Sequence, residues 1–406
     1  MAYILFEDPA RTDLFPFTFT RPVADLRAGI FTQEERWTAM LGVPVHVLAP
    51  GYLHARYSHL PETHEATWIN ARMIPDAEGI TLVQDLRPDT FYTSPAGELL
   101  AARFALERMP TDGILSADVL SGWGLRQEVV HLQPLFFRQV TDFFSLNAAL
   151  IARDFPLAVQ AAPNQPIRDP HTRVYGADNL YLAPGATLRA AIINAEDGPV
   201  YIGPHADIGE GAILKRSHAI CAHAAVSMGA KLRGDTTIGP YAKAGGEIGN
   251  SVIMGYSNKA HDGYLGNSVL GYWCNLGADT NTSNLKNTYA PVKLWHYGSG
   301  RFRDTGLQFC GLIMGDHSKS GINTMFNTGT VTGVSANVFG AGYSRPFIPS
   351  FAWGGVQNMS TYRLSDALDT ARIVMSRRQV ALTEADAAIM QAVFELSAAE
   401  RTWDKG

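Results

Sequence analysis

Two neighbouring segments of the sequence contain side chains that could move a proton and stabilise a negative charge. They are GYSNKAHDGYLG at 255–266 and GYWCNLGADTNTSN at 271–284. A histidine near its ordinary pKa of about 6.5 can accept a proton at neutral pH. An asparagine amide or a backbone N–H can stabilise an oxyanion. The segments therefore predict a site with a histidine as general base, and its candidate residues are Lys259, His261, Tyr264, Asn275, Ala278 and Asn284.

A six-residue repeat surrounds these segments and predicts the element that positions them. Aliphatic residues recur with an unbroken period of six, and six of the seven positions four residues later are small. Neither a helix nor a simple strand has this period, whereas a rung of a parallel β-helix does. We predict a parallel β-helix over about 175–350, with a projecting loop at Thr280–Gly306. The aliphatic positions are Ile202, Ile208, Leu214, Ile220, Val226, Leu232 and Ile238, with a weaker continuation at Ile322, Thr328 and Val334.

The flanking segments have a different pattern. Apolar runs at 3–6, 45–48 and 68–69 predict buried strands, and a capping box of Thr32 with Glu35 predicts a helix between the first two. Alternating strands and helices indicate an α/β layer with a mostly parallel sheet. Apolar residues at helical spacing after 357 predict two helices that cap the solenoid. We therefore expect three domains: an α/β domain at 1–165, the β-helix at 166–356 and a helical cap at 357–406.

The two segments resemble the acetyltransferase core of the bifunctional N-acetylglucosamine-1-phosphate uridyltransferase/glucosamine-1-phosphate acetyltransferase family. That core carries K-A-G-H-x-x-Y-L-G followed by N-x-G-A, and the β-helix that the resemblance implies is left-handed. It implies acetyl transfer from acetyl-CoA to an amino-sugar phosphate, as in UDP-GlcNAc biosynthesis. By position, His261 matches the general base, Asn284 a second catalytic residue, and Ala278 the acetyl-CoA contact. The substrate contacts that the resemblance implies are Tyr264, Asn275 and Lys259, although one residue is missing between Lys259 and His261.

The amino-terminal PFTFTRP at 16–22 resembles the P-L-T-x-x-R-P motif of sugar-1-phosphate nucleotidyltransferases. The resemblance implies nucleotide contacts at Thr20, Arg21 and Arg27 and leaves room for Mg²⁺ in this domain. Two positions depart from the family pattern, because Asp13 and Val23 stand where the family has arginine and lysine. The alternative to a transferase is therefore a non-catalytic, trimer-forming protein that binds a sugar nucleotide for regulation or assembly.

Composition sets the remaining expectations. With 33 basic and 38 acidic residues the net charge is −5, which argues against a nucleic-acid-binding surface. Three distant cysteines favour a reducing compartment, and the sequence contains neither a secretory leader pattern nor a long apolar run. We expect a cytoplasmic enzyme without a membrane partner. Because the flat faces of a β-helix pack by symmetry, we expect a homotrimer.

Overall fold

The computed structural model describes residues 2–110 and 112–405. The chain divides into two compact units. The first comprises Met1–Leu26 with Phe31–Gln139, and the second comprises Arg27–Ile30 with Val140–Gly406.

The first unit is built on a mixed six-stranded sheet. The strand order is β2-β1-β3-β5-β4-β6; β3 and β4 are antiparallel to β5, and the other pairs are parallel. The three predicted buried strands are confirmed as β1 to β3, whereas the mostly parallel sheet is only partly correct. The strands are β1 (Ala2–Phe6), β2 (Val45–Val47), β3 (Glu65–Asn70), β4 (Thr90–Thr93), β5 (Leu99–Ala105) and β6 (Arg126–Val129).

Short helices connect these strands. The first begins at the predicted capping box, because Thr32 accepts from the Glu35 amide while Glu35 accepts from the Thr32 amide, and it ends at Gly42 in the left-handed conformation. The helices of this unit are α1 (Gln33–Leu41), α2 (His54–Tyr57), α3 (Ala77–Gln84) and α4 (Ala117–Gly122).

The second unit opens with two helices, α5 (Asp142–Ser145) and α6 (Asn147–Ala158), and continues as a left-handed parallel β-helix of about ten turns. We call its three sheets the first, second and third face. The first face contains β7 (Arg173–Tyr175), β10 (Ile192–Asn194), β13 (Ile213–Lys215), β16 (Lys231–Leu232), β19 (Glu247–Gly249) and β22 (Tyr264–Gly266).

The second face has nine strands: β8 (Leu180–Leu182), β11 (Val200–Ile202), β14 (His218–Ile220), β17 (Thr236–Ile238), β20 (Val252–Ile253), β23 (Val269–Leu270), β27 (Leu312–Met314), β30 (Thr330–Thr332) and β32 (Phe347–Ile348). The third face begins with β9 (Thr187–Leu188), β12 (Asp207–Ile208), β15 (Ala225–Val226), β18 (Lys243–Ala244) and β21 (Asn258–Lys259). A single bridging residue, Asn275, joins it to β28 (Lys319–Ser320), β31 (Asn337–Val338), β33 (Ala352–Gly354) and β34 (Met359–Thr361).

The predicted six-residue period is confirmed by the core of the β-helix. All seven aliphatic positions from Ile202 to Ile238 are at most 2 % exposed and belong to one apolar cluster. The later continuation is wrong at Ile322, which is 72 % exposed, because the inward positions of those rungs are Ser320 and Phe326. Stacking inward-facing aliphatic side chains buries a continuous apolar column, which is the main stabilisation of such a solenoid.

The projecting loop starts later than predicted. Asn281 and Thr282 form the rung strand β24, which pairs with β29 (Met325–Phe326). The excursion that follows contains an antiparallel hairpin of β25 (Lys293–His296) and β26 (Arg301–Asp304). Its polar sequence hid this hairpin from the prediction.

One corner of the β-helix, between the second and third faces, carries a column of stacked rings. Successive ring centroids lie 5.0, 4.6, 4.9, 4.1 and 6.3 Å apart, close to the distance between neighbouring strands. All six residues have φ between 56° and 62°, a left-handed conformation that few non-glycine residues adopt. The column consists of His205, His223, Tyr241, Tyr256, Trp273 and His317.

The two predicted carboxy-terminal helices are confirmed as α7 (Leu364–Ser376) and α8 (Glu384–Leu396). A capping box of Thr383 with Asp386 starts α8, as expected from the sequence. These two are the longest described helices, and at 13 residues each they are too short to span a bilayer.

Candidate active site

A cavity of about 620 Å³ lies where the third face of the β-helix meets the end of α7. Two rings of the aromatic column form part of its wall, and outward-facing polar residues of successive rungs form its floor. It is lined by Lys243, Tyr256, Asn258, Ala260, His261, Trp273, Cys274, Asn275, Lys319, Val374, Arg377 and Arg378.

The rung geometry explains why His261 and Asn275 share this cavity. Asn258 and Asn275 are bridge partners on the third face, so their side chains leave the β-helix in the same direction. His261 follows β21 at the next corner and is exposed, as is Asn275. The Arg378 guanidinium, from the turn after α7, donates to Asn258 Oδ1 at 3.2 Å. The structure therefore brings the proposed base, two amides and a cation to one opening.

The charge of the cavity is one-sided. Four basic side chains line it, and none of the described lining residues carries a carboxylate. Within the described part of the chain, none of the four takes part in an ion pair, although the Lys319 ammonium donates to the His317 carbonyl at 2.8 Å. Cations that lack a carboxylate partner attract an anionic ligand. The four are Lys243, Lys319, Arg377 and Arg378.

Lys259 lies inside the β-helix, not in the cavity. It pairs with Ala244 at an inward position of the third face and is 1 % exposed. Its ammonium donates to the Gly245 carbonyl at 3.2 Å, to the Asp262 carbonyl at 3.1 Å and to the His261 carbonyl. These contacts use all three donors of the ammonium. The structure thus corrects the expected substrate contact to a positioning one, because Lys259 holds the turn that carries His261.

Tyr264 and Asn284 lie together on a separate part of the surface. The Asn284 side-chain amide donates to the Tyr264 hydroxyl at 3.0 Å and to Asn267 Oδ1 at 2.8 Å. The Tyr264 backbone N–H donates to Asn281 Oδ1 at 2.8 Å. Burial raises the pKa of Tyr264 above its ordinary 10.0, so its hydroxyl stays protonated at neutral pH. Neither Tyr264 nor Asn284 lines the His261 cavity.

Ala278 is half-buried at the corner that follows Leu276. Its carbonyl accepts from the Asn323 amide at 2.8 Å. Within the described residues its own N–H has no hydrogen-bond partner, so that group can donate to a ligand.

The predicted nucleotide contacts fall into both units. Thr20 and Arg21 belong to the first unit and Arg27 to the second. All three are buried, and the two guanidinium groups have partners within their own segments, namely Asp25 for Arg21 and the Ile30 carbonyl for Arg27.

The charged groups near the end of β1 pair with one another. Arg72 donates through Nε to Asp8 Oδ1 at 2.8 Å, and Asn70 donates to Asp8 Oδ2 at 2.9 Å, all three side chains being buried. Glu7 accepts from the Arg11 guanidinium and from the Val23 amide. Across the described residues, no three His, Cys, Asp or Glu side chains cluster in a way that could hold a metal ion. The Asp8 and Glu7 carboxylates therefore already have guanidinium partners.

Sequence analysis missed most of the cavity. Lys243, Asn258 and Lys319 share the outward phase of the third face with Asn275, so the rung register could have identified them. Arg377 and Arg378 are distant in sequence, and no local pattern links them to the site.

Comparison with known proteins finds a family model for the amino-terminal part of the chain. Residues 3–162 match the family model described as sugar nucleotidyl transferase. The bifunctional protein GlmU of Methanocaldococcus jannaschii is 37 % identical over 87 residues, 21 % of this chain and 21 % of that protein. The GlmU of Synechococcus elongatus is 27 % identical over 197 residues, 46 % of this chain and 39 % of that protein. The chain thus matches less than half the length of these curated relatives.

Solved structures that align with part of this chain include an Arabidopsis UDP-N-acetylglucosamine acyltransferase. It has 14 % identity and a TM-score of 0.28, and the alignment covers 52 % of this chain and 78 % of that one. A Campylobacter jejuni UDP-N-acetylglucosamine acyltransferase has 18 % identity and a TM-score of 0.22, covering 57 % and 82 %. At these identities and TM-scores, the similarity to the two solved structures gives no information about function. The family match, the curated relatives and the β-helix together fit a GlmU-like family with a sugar nucleotidyl transferase segment and a left-handed β-helix.

Proposed function

We propose that this protein is a transferase that moves an acetyl group from acetyl-CoA to the amine of an amino-sugar phosphate, with His261 as general base. The observation that carries the proposal is the cavity in which His261 and Asn275 lie beside four basic side chains. The names of the curated relatives and the matched family model support a transferase acting on sugar phosphates. The absence of a lining carboxylate suits phosphate groups on either substrate.

The residues of the cavity and of the turns beside it have distinct tasks in this proposal. The donor supplies an activated acetyl group as a thioester. His261 accepts the proton that the sugar amine loses as its nitrogen bonds to the carbonyl carbon, and it returns that proton to the departing thiolate. The Asn275 amide and the Ala278 N–H donate to the carbonyl oxygen as it gains negative charge. Lys259 fixes the turn from within, and the four cations hold phosphate groups.

Tyr264 and Asn284 are proposed to act together at the sugar-binding side. Their mutual hydrogen bond fixes the tyrosine hydroxyl, which is the polar group available to a sugar. In the proposed trimer, the Tyr264–Asn284 surface of one copy lies against the His261 cavity of a neighbouring copy. The homotrimer is part of the proposal, as is a cytoplasmic location, which is supported by three buried cysteines that form no disulfide among the described residues.

For the first unit we propose sugar-nucleotide binding at Thr20 and Arg21 without nucleotidyl transfer. The pairs Asp8–Arg72 and Glu7–Arg11 use charged groups that phosphoryl transfer would need for a metal and a triphosphate. Incubation with a sugar 1-phosphate and each nucleoside triphosphate tests this. Nucleotide sugars should raise the melting temperature while no pyrophosphate is released. Sustained pyrophosphate release would refute it.

The acetyl-transfer proposal is tested by replacing the base. His261→Asn keeps a polar side chain of similar width but cannot act as a base, so kcat should fall about 10²- to 10⁴-fold. Because His261 is exposed, the melting temperature should not change. His171→Asn, at another exposed histidine outside the cavity, is the matched control. Thiol release from acetyl-CoA gives the rate, and equal rates for the two variants would contradict the role of His261.

A further inference from the structure

The first face of the β-helix carries a group of polar side chains whose hydrogen-bonding capacity is only partly used. We call this group, which consists of Tyr264, Asn267 and Asn284, the amide cluster. The Asn284 amide donates to the other two side chains. Among the described residues nothing pairs with Asn284 Oδ1, with Asn267 Nδ2 or with the proton of the Tyr264 hydroxyl, and the two amide atoms are open to solvent. The amide cluster therefore offers a ligand both donors and an acceptor.

The surface beside the amide cluster is open. Gly249 and Gly266 are paired on neighbouring rungs. A Cβ at Gly266 would lie 2.2 Å from the Tyr264 hydroxyl oxygen, so only glycine lets the amide cluster assemble there. A Cβ at Gly249 would approach only the Cβ of Arg233, at 3.4 Å. Arg233 and the amide cluster thus stand two rungs apart, roughly 10 Å, with room for one sugar ring between them.

Positive charge is in excess at the Arg233 end of this opening. The Arg233 guanidinium donates through Nη1 to Glu247 at 2.9 Å, and its Nε and Nη2 have no partner among the described residues. Lys215 lies on the rung before it, and Lys231 lies beside Glu247 on the same face. Both lysines are exposed, and neither forms an ion pair within the described part of the chain. Three cations around one carboxylate attract an anion.

The charged end and the amide cluster are close enough to act on one ligand. Burial and the Asn284 hydrogen bond have the largest effects on the pKa of Tyr264, but the Arg233 charge also lowers it and the Glu247 charge raises it. Both charged groups therefore lie near the tyrosine hydroxyl. A ligand that spans the opening has an anionic group at one end and hydroxyl groups at the other.

We propose that this opening binds the phosphorylated amino sugar, with the phosphate on Arg233 and the ring hydroxyls on the amide cluster. The free edge of the guanidinium, formed by Nε and Nη2, has the fork geometry that binds a phosphate through two hydrogen bonds. A sugar hydroxyl donates and accepts, as the amide cluster requires. The identity of this ligand rests on the proposed acetyl transfer. In the proposed trimer the phosphate would also face the cationic cavity of a neighbouring copy, where Arg378 lies.

Calorimetric titration of the full chain with glucosamine 1-phosphate and glucosamine 6-phosphate, without acetyl-CoA, tests the proposal. We expect saturable binding of at least one of them, with a Kd of about 1 mM or tighter. Arg233→Met should raise that Kd about tenfold, and Arg233→Lys should raise it less because the charge remains. The control is Arg126→Met, at an arginine of the first unit that is equally exposed and also pairs with a glutamate, and it should leave the Kd unchanged.

Glu247→Gln separates binding from a structural role of the Arg233–Glu247 pair. It removes a negative charge beside the phosphate, so it should lower the Kd roughly threefold, whereas Arg233→Met raises it. A merely structural pair would give the two variants the same change in melting temperature and the wild-type Kd. That result, or no saturable binding of either glucosamine phosphate, would overturn the proposal. If binding behaves as expected but acetyl-CoA releases no thiol, only the acetyl-transfer proposal fails, because His261→Asn should bind the sugar phosphate as the wild type does.

Discussion

The buried ammonium of Lys259 allows a direct test of how the turn that carries His261 is held in place. The inward positions on either side of it, Ala244 and Leu276, are apolar. We consider Lys259→Met, which keeps the length of the side chain but removes its charge and its three donors. The variant should have nearly the wild-type stability at pH 7, yet lose much of its acetyl-transfer rate.

Two opposing contributions determine how much the Lys259→Met substitution changes the free energy of unfolding. Burial lowers the pKa of Lys259 from its ordinary 10.5 to about 8, opposed by the charges of Asp262 and Asp279. At about 1.4 kcal/mol for each pKa unit, keeping the charge inside costs on the order of 3 kcal/mol at neutral pH. The three hydrogen bonds to carbonyls, which a neutral amine keeps in part, offset this cost. In the methionine variant both contributions disappear, and the carbonyls of Gly245, His261 and Asp262 lose their shared donor.

The sign of the pH dependence is fixed by the lowered pKa. Between pH 8 and 10.5 the unfolded chain binds a proton at Lys259 that the folded chain does not. The contribution of this group to folding stability therefore increases as the pH rises through that window. Lys259→Met should remove that contribution, whereas Lys231→Met, at an exposed lysine of the first face, should retain it.

Denaturant unfolding from pH 7 to 10.5, on wild type and both variants, provides the measurement, with thiol release as the activity readout. The difference in unfolding free energy between wild type and Lys259→Met should change by about 2–3 kcal/mol across this range. We expect kcat of the Lys259 variant to fall about tenfold or more, because the His261 turn loses its anchor. A difference that does not change with pH, together with wild-type kcat, would refute a buried anchoring ammonium.

Three further predictions concern a buried histidine of the β-helix, one cation of the cavity and the oligomeric state. Burial lowers the pKa of His218 to about 4, so folding stability should fall by on the order of 3 kcal/mol as the pH drops from 6.5 to 4. The His218→Asn variant should not show this loss of stability, whereas the control variant His131→Asn, at an exposed histidine, should show it. Arg378→Met should raise KM for a phosphorylated acceptor about tenfold with little change in kcat, whereas Arg372→Met on the exposed side of α7 should change neither. Sedimentation equilibrium should give three times the chain mass, and a monomer at micromolar concentration would contradict the trimer.

The six-residue repeat could be predicted because burial in the core favours an apolar side chain at each inward position separately. A polar residue at Ile208 or Leu214 would be placed in a dry column, so these positions stay aliphatic and the period is visible in the sequence. The same reasoning failed after Ala244, where the next rung is shorter and the inward position holds Lys259. A motif match assigned that lysine to the substrate, but the rung geometry turns it inwards.

The candidate site could be predicted only in part. The motif identified His261 and Asn275, both of which line the cavity. The basic side chains came from elsewhere: Arg377 and Arg378 reach the cavity because α7 folds back along the β-helix, and this depends on tertiary packing that no local pattern encodes. Tyr264 and Asn284, which the motif also grouped with His261, form a pair of their own in the folded chain.

The most direct test of the central claim is the rate of acetyl transfer by the unmodified protein to amino sugars with and without a phosphate group. The product is identified by mass spectrometry, and thiol release gives the rate. The cationic cavity around His261 predicts N-acetylation of at least one amino-sugar phosphate, with kcat/KM at least about tenfold above that of the unphosphorylated sugar. No acetylated product from any amino-sugar phosphate, or equal kcat/KM with and without the phosphate, would contradict the assignment.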